Sequence, residues 1–378
     1  MEPFRIAIDD ADLADLRERL ARTRLPDEVN DEQWSYGTPR AYLAELIAYW
    51  RDQFDWRARE AALNRFDHFR APIAAAFGGR VHFIHQRSRH AGAFPLILTH
   101  GWPGSVVEFE KIIGPLIDPE AHGGSAADAF HVVCPSMPGY GFSDRPTQPG
   151  CDVRRVAQVN VELMAALGYD RYGAQGGDWG GVATPHMAVL DPDHCVAIHL
   201  NFAMAAQPPG DLPADEVELM VRNGVRNTDG IGYLQIQSTR PQTLGYGLND
   251  SPAGLAAWIS EKFRFWTDCG GDPTSSVSRD ELLTNIAIYW FTQTATSSAR
   301  LYYESLHNGS FGPVKGPVAT PTGVAVFPQE LMLTPRRWLE HHYNLTHYTE
   351  MPRGGHFAAM EEPELFVEDL RTFFRSYR

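Results

Sequence analysis

Glycines crowd around one aspartate in the run Arg171-Tyr172-Gly173-Ala174-Gln175-Gly176-Gly177-Asp178-Trp179-Gly180-Gly181, and few folds accept such a segment. It reads as a short strand, a tight turn and a helix start. Small residues at Gly176 and Gly180 let strand and helix approach closely while the side chain at 178 points out of the turn, the shape of a nucleophile elbow. Serine there would predict an esterase; with aspartate, a carboxylate attacks and leaves an alkyl ester on the enzyme. Asp at a strand-to-helix junction also suits a helix N-cap. Taken alone that reading would prevail, and two further features shift the balance.

The first is His100-Gly101-Trp102-Pro103-Gly104-Ser105, directly after the apolar run Phe94-Pro95-Leu96-Ile97-Leu98-Thr99, which reads as a buried strand. A strand ending in His-Gly suits a loop that donates one oxyanion-hole amide, the other coming from the residue after the nucleophile, so the donors would be the amides of Trp102 and Trp179. An ordinary Pro-Gly turn is the plainer reading. The second feature is Met351-Pro352-Arg353-Gly354-Gly355-His356-Phe357, after a β-pattern segment (346–350) and before a helical stretch (362–377). A histidine placed last in the chain fits the order nucleophile, acid, histidine, which makes His356 the candidate base.

Length bounds the architecture: 378 residues suffice for one large domain with an insertion, or for two domains. A net charge of −14 argues against nucleic acid, whose phosphates need Lys and Arg, and against docking on anionic membranes. Residues 1–30 are charged, helical in pattern and lack a signal-peptide core, so a cytoplasmic protein is expected. Cys134, Cys151, Cys195 and Cys269 show no metal or redox spacing and read as reduced thiols. Strand alternation accounts for His82 and His85, and surface placement for His341 and His342; no metal and no cofactor is assigned.

The chain divides into an N-terminal helical extension (1–77), a first core half (78–202), a helical cap (203–312) and a second core half (313–378). In the first core half, strand-like runs at 81–86, 94–99, 131–135, 172–176 and 195–200 alternate with helical runs at 106–116, 153–167 and 182–189. That alternation predicts an α/β fold, a mostly parallel sheet with helices on both faces. Residues 323–327 read as a further strand before His356.

These motifs are specific enough to resemble a family. The chain resembles epoxide hydrolases of the α/β-hydrolase fold, in particular the microsomal and juvenile-hormone branch. The resemblance runs over nearly the whole chain and rests on His100–Ser105, Gly176–Gly180, the stretch Leu248-Asn249-Asp250-Ser251-Pro252-Ala253-Gly254-Leu255-Ala256-Ala257-Trp258-Ile259, Phe327-Pro328-Gln329-Glu330 and Arg353-Gly354-Gly355-His356-Phe357-Ala358-Ala359. It implies that Tyr233 and Tyr302 hold the epoxide oxygen, with Tyr303 an adjacent competitor for the second role, and that Glu330 is the triad acid. It also implies a soluble, bacterial-type member without the family's membrane anchor, and extends to members that act in enediyne-type natural-product pathways.

The implied chemistry is two-step. Asp178 opens the ring; a tyrosine, with a reference pKa of about 10, protonates an alkoxide whose conjugate acid lies near bulk water at about 15.7. His356, backed by Glu330, then activates water against the ester. The expected partners are a small-molecule epoxide, bulky or aryl to match the aromatic-rich cap, and water, with a homodimer as the protein partner to test. A haloalkane dehalogenase would share the aspartate, with the indoles of Trp102 and Trp179 as halide donors. A catalytically inactive binding protein is the rival of another class. The tyrosine pair favours the epoxide.

Overall fold

The computed structural model describes residues 1–29 and 34–378. Its centre is a sheet of β1 (Glu2–Phe4), β2 (His68–Pro72), β3 (Arg80–Gln86), β4 (Phe94–Thr99), β5 (Phe130–Pro135), β6 (Tyr172–Gly176), β7 (Cys195–Leu200), β8 (Val318–Val326) and β9 (Tyr343–Glu350). The spatial order is β1-β2-β3-β5-β4-β6-β7-β8-β9. Pairing is antiparallel across β1, β2, β3 and β5 and parallel from β5 to β9.

The strand period of two sorts side chains into two cores. In β4, Ile97 joins the core shared with the helices Val153–Ala166 and Asp178–Leu190, while Leu96 and Leu98 join the core shared with Glu110–Ile117 and Pro363–Phe374. Each such fully buried side chain stabilises the fold by roughly 1.5–3 kcal/mol relative to exposure. Near the edge, Asp369 accepts from His199 Nε2 at 2.8 Å, His347 Nε2 at 2.8 Å and Thr349 Oγ1 at 2.7 Å, tying β7, β9 and the last long helix together. Burial alone would raise this carboxyl, but those hydrogen bonds hold it well below the usual carboxylate range.

Residues 1–77 depart in one respect from the mostly helical pattern expected of them. Beside the helices Asp10–Ala21, Arg40–Asp52 and Trp56–Leu63 they supply β1 and β2, which extend the antiparallel edge. Strands of three and five residues are too short to show a period of two against their helical neighbours. Of the histidines, His342 is buried, not on the surface; His82 lies in β3 and is fully buried, its ring nitrogens 2.9 Å from His68 Nδ1 and Ser136 Oγ.

Between β7 and β8 lie the helices Ala214–Asn227, Gly232–Thr239, Pro241–Asp250, Pro252–Trp266, Arg279–Thr292 and Ala295–His307. The N-terminal segment clasps this layer. Thr38 Oγ1 donates to Ala257 O at 2.8 Å, Tyr49 OH to Asp280 at 2.8 Å and Arg59 Nε to Thr284 Oγ1 at 2.9 Å. No helix among the described residues is long and apolar enough to cross a membrane.

Parallel strands direct their C-terminal ends to one edge of the sheet, where α/β folds place their ligand sites. From that edge β4 leads into His100–Ser105, β6 into Asp178, β8 into Glu330 and β9 into His356. Four segments distant in sequence therefore meet over one rim.

Candidate active site

Asp178 takes a left-handed backbone conformation, φ +50°, unusual for a residue with a Cβ and typical of strain held in place at a functional turn. It does not act as an N-cap, since Gly177 occupies that position. Its Oδ1 instead accepts the Trp102 amide at 2.7 Å, across from β4. Tight glycines make the turn: a Cβ on Gly176 would lie 2.1 Å from Gly180 O, and one on Gly180 1.9 Å from Thr99 O. Gly180→Ala should accordingly cost about 1–3 kcal/mol in chemical denaturation, as overpacking does. Gly92→Ala, which meets nothing within 4 Å, should stay within about 0.5 kcal/mol. Equal stabilities for the two variants would refute this account of the elbow.

The His100–Ser105 loop is held from both sides. Met137 N donates to His100 Nε2 at 3.3 Å, so the proton of this neutral ring sits on Nδ1, 3.0 Å from Gly101 O. Burial keeps His100 neutral by lowering its pKa to about 4. From the helix Arg279–Thr292, Asn285 Nδ2 donates to Pro103 O and Tyr289 OH to Gly104 O, each at 2.7 Å, and Ser105 Oγ donates to Asn285 Oδ1 at 2.7 Å. The Trp179 amide, expected as the second oxyanion donor, makes no hydrogen bond to Asp178 among the described residues.

His356 stands between two carboxylates, its Nδ1 2.5 Å from Glu330 Oε1 and its Nε2 3.2 Å from Asp178 Oδ2. Burial alone would lower its pKa, but the Glu330 and Asp178 charges outweigh it and hold the ring well above its usual value. The His356 loop is fixed to the end of the helix Pro252–Trp266 by its own amide, which donates to Trp266 O at 2.8 Å; a Cβ on Gly355 would sit 2.5 Å from that same oxygen. Glycine at 355 permits that approach.

Over this row lie the two tyrosines. Tyr233 stacks on Trp102 with ring centroids 5.1 Å apart, and Tyr302 meets Trp179 edge-on at 4.7 Å. The two phenols' rings are 5.9 Å apart. Burial, then the Asp178 charge, pushes the Tyr233 hydroxyl up, Tyr302 returning part of the shift; burial, then Tyr233 and Asp178, pushes Tyr302 well up. Both are therefore protonated donors at neutral pH. Tyr303 turns away, exposed and stacked on His307 at 4.0 Å, which leaves Tyr302 as the one of the pair that faces Asp178.

Three neighbours escaped the sequence reading. Trp266 meets His356 at 5.0 Å and Tyr233 at 5.1 Å, and Lys262, one turn earlier and almost fully buried, places Nζ 4.7 Å over the Tyr233 ring. Their i, i+4 spacing was the available signal, but it reads equally as a packed helix face. Glu108, just beyond the His100–Ser105 loop, reads as the polar face of a short helix. A surface recess of about 640 Å³ is lined by Arg145, Arg300 and their neighbours and by none of these site residues.

A mostly parallel sheet that presents an aspartate at its elbow, with histidine and glutamate behind it, defines an α/β hydrolase. Comparison with known proteins agrees: residues 1–109 match the model of the epoxide hydrolase N terminus and residues 95–320 that of the alpha/beta hydrolase fold. A relative from Stigmatella aurantiaca is 50% identical over 380 residues, covering 100% of this chain and 85% of its own length. Epoxide hydrolase 1 of Sus scrofa is 40% identical, covering 99% and 88%. The crystal structure of juvenile hormone epoxide hydrolase from the silkworm Bombyx mori superposes with a TM-score of 0.90 at 31% identity, covering 100% and 94%. The chain belongs to the epoxide hydrolase family, hydrolases that act on ether bonds.

Proposed function

We propose that this epoxide hydrolase converts a bulky or aryl epoxide to a vicinal diol through an ester on Asp178, with His356 and Glu330 serving its hydrolysis and Tyr233 and Tyr302 the ring opening. The observation that carries this is the row Glu330, His356, Asp178, at 2.5 and 3.2 Å, beneath two protonated phenols. The row also supports a closed proton cycle. Asp178 attacks a ring carbon and the C–O bond breaks; the alkoxide takes a phenolic proton, and the His356 imidazolium makes that proton good. Esterification removes one of the two charges that held the proton on His356, so the ring is left neutral and ready to act as base. Water loses a proton to His356 and attacks Asp178 Cγ. The diol oxygen leaves with the second proton of that water, passed from the new carboxyl of Asp178, and the resting carboxylate and imidazolium return.

The amides of Trp102 and Trp179 would receive the oxyanion of that second step. Walls of Trp102, Trp179, Trp266 and Phe202 suit a flat apolar substituent. The reading includes a cytoplasmic location, favoured by four free cysteines, with a homodimeric state and a place in natural-product biosynthesis as further proposals.

Tyr233→Phe and Tyr302→Phe should each slow ring opening by about 100-fold while leaving ester hydrolysis near the parent rate. Rapid-quench measurement of both steps checks this; a loss confined to hydrolysis would mean that the tyrosines do not serve ring opening. The function itself is tested by diol formation from styrene oxide, with Asp178→Ala, a chloroalkane and an activated ester run in parallel. Diol from the parent alone supports the proposal, and halide release in its place would favour a dehalogenase.

A further inference from the structure

The His100–Ser105 loop runs into a short 3-10 helix, Val106–Phe109, and the carboxyl of Glu108 turns back over the loop. A Cβ built on Gly104 would lie 1.6 Å from Glu108 Oε1 and 2.6 Å from its Cδ, so the carboxyl fills the space where residue 104 has no side chain. Gly101 links it to the nucleophile. The Gly101 amide favours the ionised form of Glu108, and a Cβ on Gly101 would lie 2.1 Å from Asp178 Oδ1. Glu108 and Asp178 thus flank one glycine.

No lysine or arginine pairs with Glu108 among the described residues, and the positive charge that reaches it is that of His356. Its neighbours on the same segment are paired, Glu110 with Arg59 at 2.5 Å and Lys111 with Glu281 at 2.7 Å. A carboxyl largely withdrawn from water without a paired Lys or Arg is costly unless it keeps its proton. Burial pushes Glu108 up to about 8, with His356 lowering it and Asp178 raising it, so at neutral pH it is an acid that can both donate and accept a hydrogen bond.

We propose that Glu108 positions the water that attacks the Asp178 ester, holding its oxygen from the side of the oxyanion loop while His356 removes its proton. This rests on the two-step reading above. Glu108 keeps its own proton throughout: one proton of the water goes to His356, its oxygen bonds to Asp178 Cγ, and the Cγ–O bond to the diol breaks as that oxygen takes the water's second proton from the new carboxyl. Ring opening consumes no water. A group that acts through water should therefore affect the second step alone.

The test is rapid-quench kinetics with styrene oxide on the parent and on Glu108→Gln, Glu108→Asp and Glu108→Leu, with intact mass to quantify ester and His356→Gln run in parallel. Expected are alkylation rates within a few-fold of the parent for all three Glu108 variants. Ester hydrolysis should slow about 100-fold in the Leu and Asp variants, where the water loses its partner or the partner is withdrawn, so that ester accumulates. The Gln variant, whose amide donates and accepts at the same reach, should hydrolyse near the parent rate. If the Leu variant does not fold, the contrast between Gln and Asp carries the same test. Parent-like hydrolysis in Leu and Asp overturns the inference, as does an equal slowing of both steps in every variant, the mark of a merely structural residue. Absence of ester on His356→Gln would overturn the two-step reading itself, and this inference with it.

Discussion

Asp178→Asn is expected to abolish diol formation, by about 10⁵-fold or more, while the protein keeps close to its parent stability. An amide does not open an epoxide, so the first bond would not form. Asn nevertheless matches Asp in volume, and its oxygen can still receive the Trp102 amide now 2.7 Å from Oδ1. It also tolerates the left-handed conformation, φ +50°, that position 178 adopts. Asp178→Ala should lose as much activity and, in addition, about 1–2 kcal/mol, because an alanine Cβ is strained there. Steady-state diol assays and urea melts on both variants separate chemistry from folding. Residual turnover above about a thousandth of the parent in either would rule out Asp178 as the nucleophile.

The second large effect is expected at His356. His356→Gln should react once, taking up one equivalent of substrate as a stable ester, and then turn over about 10³-fold or more slowly. Gln keeps a donor toward Glu330, which now lies 2.5 Å from Nδ1, but has no basic nitrogen to take a proton from water. Ring opening should slow more modestly, through loss of the positive charge that stands 3.2 Å from Asp178 Oδ2. Intact mass during turnover checks both parts. A variant that makes diol at the parent rate, or that never acquires the adduct, contradicts the division of labour between the two residues.

The frame of this site is legible in the sequence because it is made of local signals. The strands expected at 94–99, 172–176 and 195–200 have the bounds of β4, β6 and β7, since each is an apolar or small-residue run between turn formers. Asp178, His100 and His356 stand out through the glycines around them. Where signals compete, the reading shifts. The helix after the elbow begins at Asp178, not at Val182, because Gly180 and Gly181 look like loop residues until their close packing is seen. In β8 the strand begins at Val318, ahead of the expected 323, because Pro321 resembles a turn and sits in fact at a shift of register.

What stays hidden is what depends on distance in three dimensions. Nothing in Lys262 or Glu108 as letters reveals that one lies over Tyr233 and the other beside Gly101 and Asp178. The choice between Tyr302 and Tyr303 is of the same kind. Neighbours in a helix point about 100° apart, and only the tertiary fold decides which one faces the elbow.

The most direct test of the covalent route is a single turnover in H₂¹⁸O with enzyme in excess over styrene oxide. If the ester on Asp178 forms and is cleaved at Cγ, the first diol carries only unlabelled oxygen and the label appears in the peptide containing Asp178. Label in the diol of that first turnover, with Asp178 unlabelled, would mean that water attacks the epoxide directly and that no ester lies on the path.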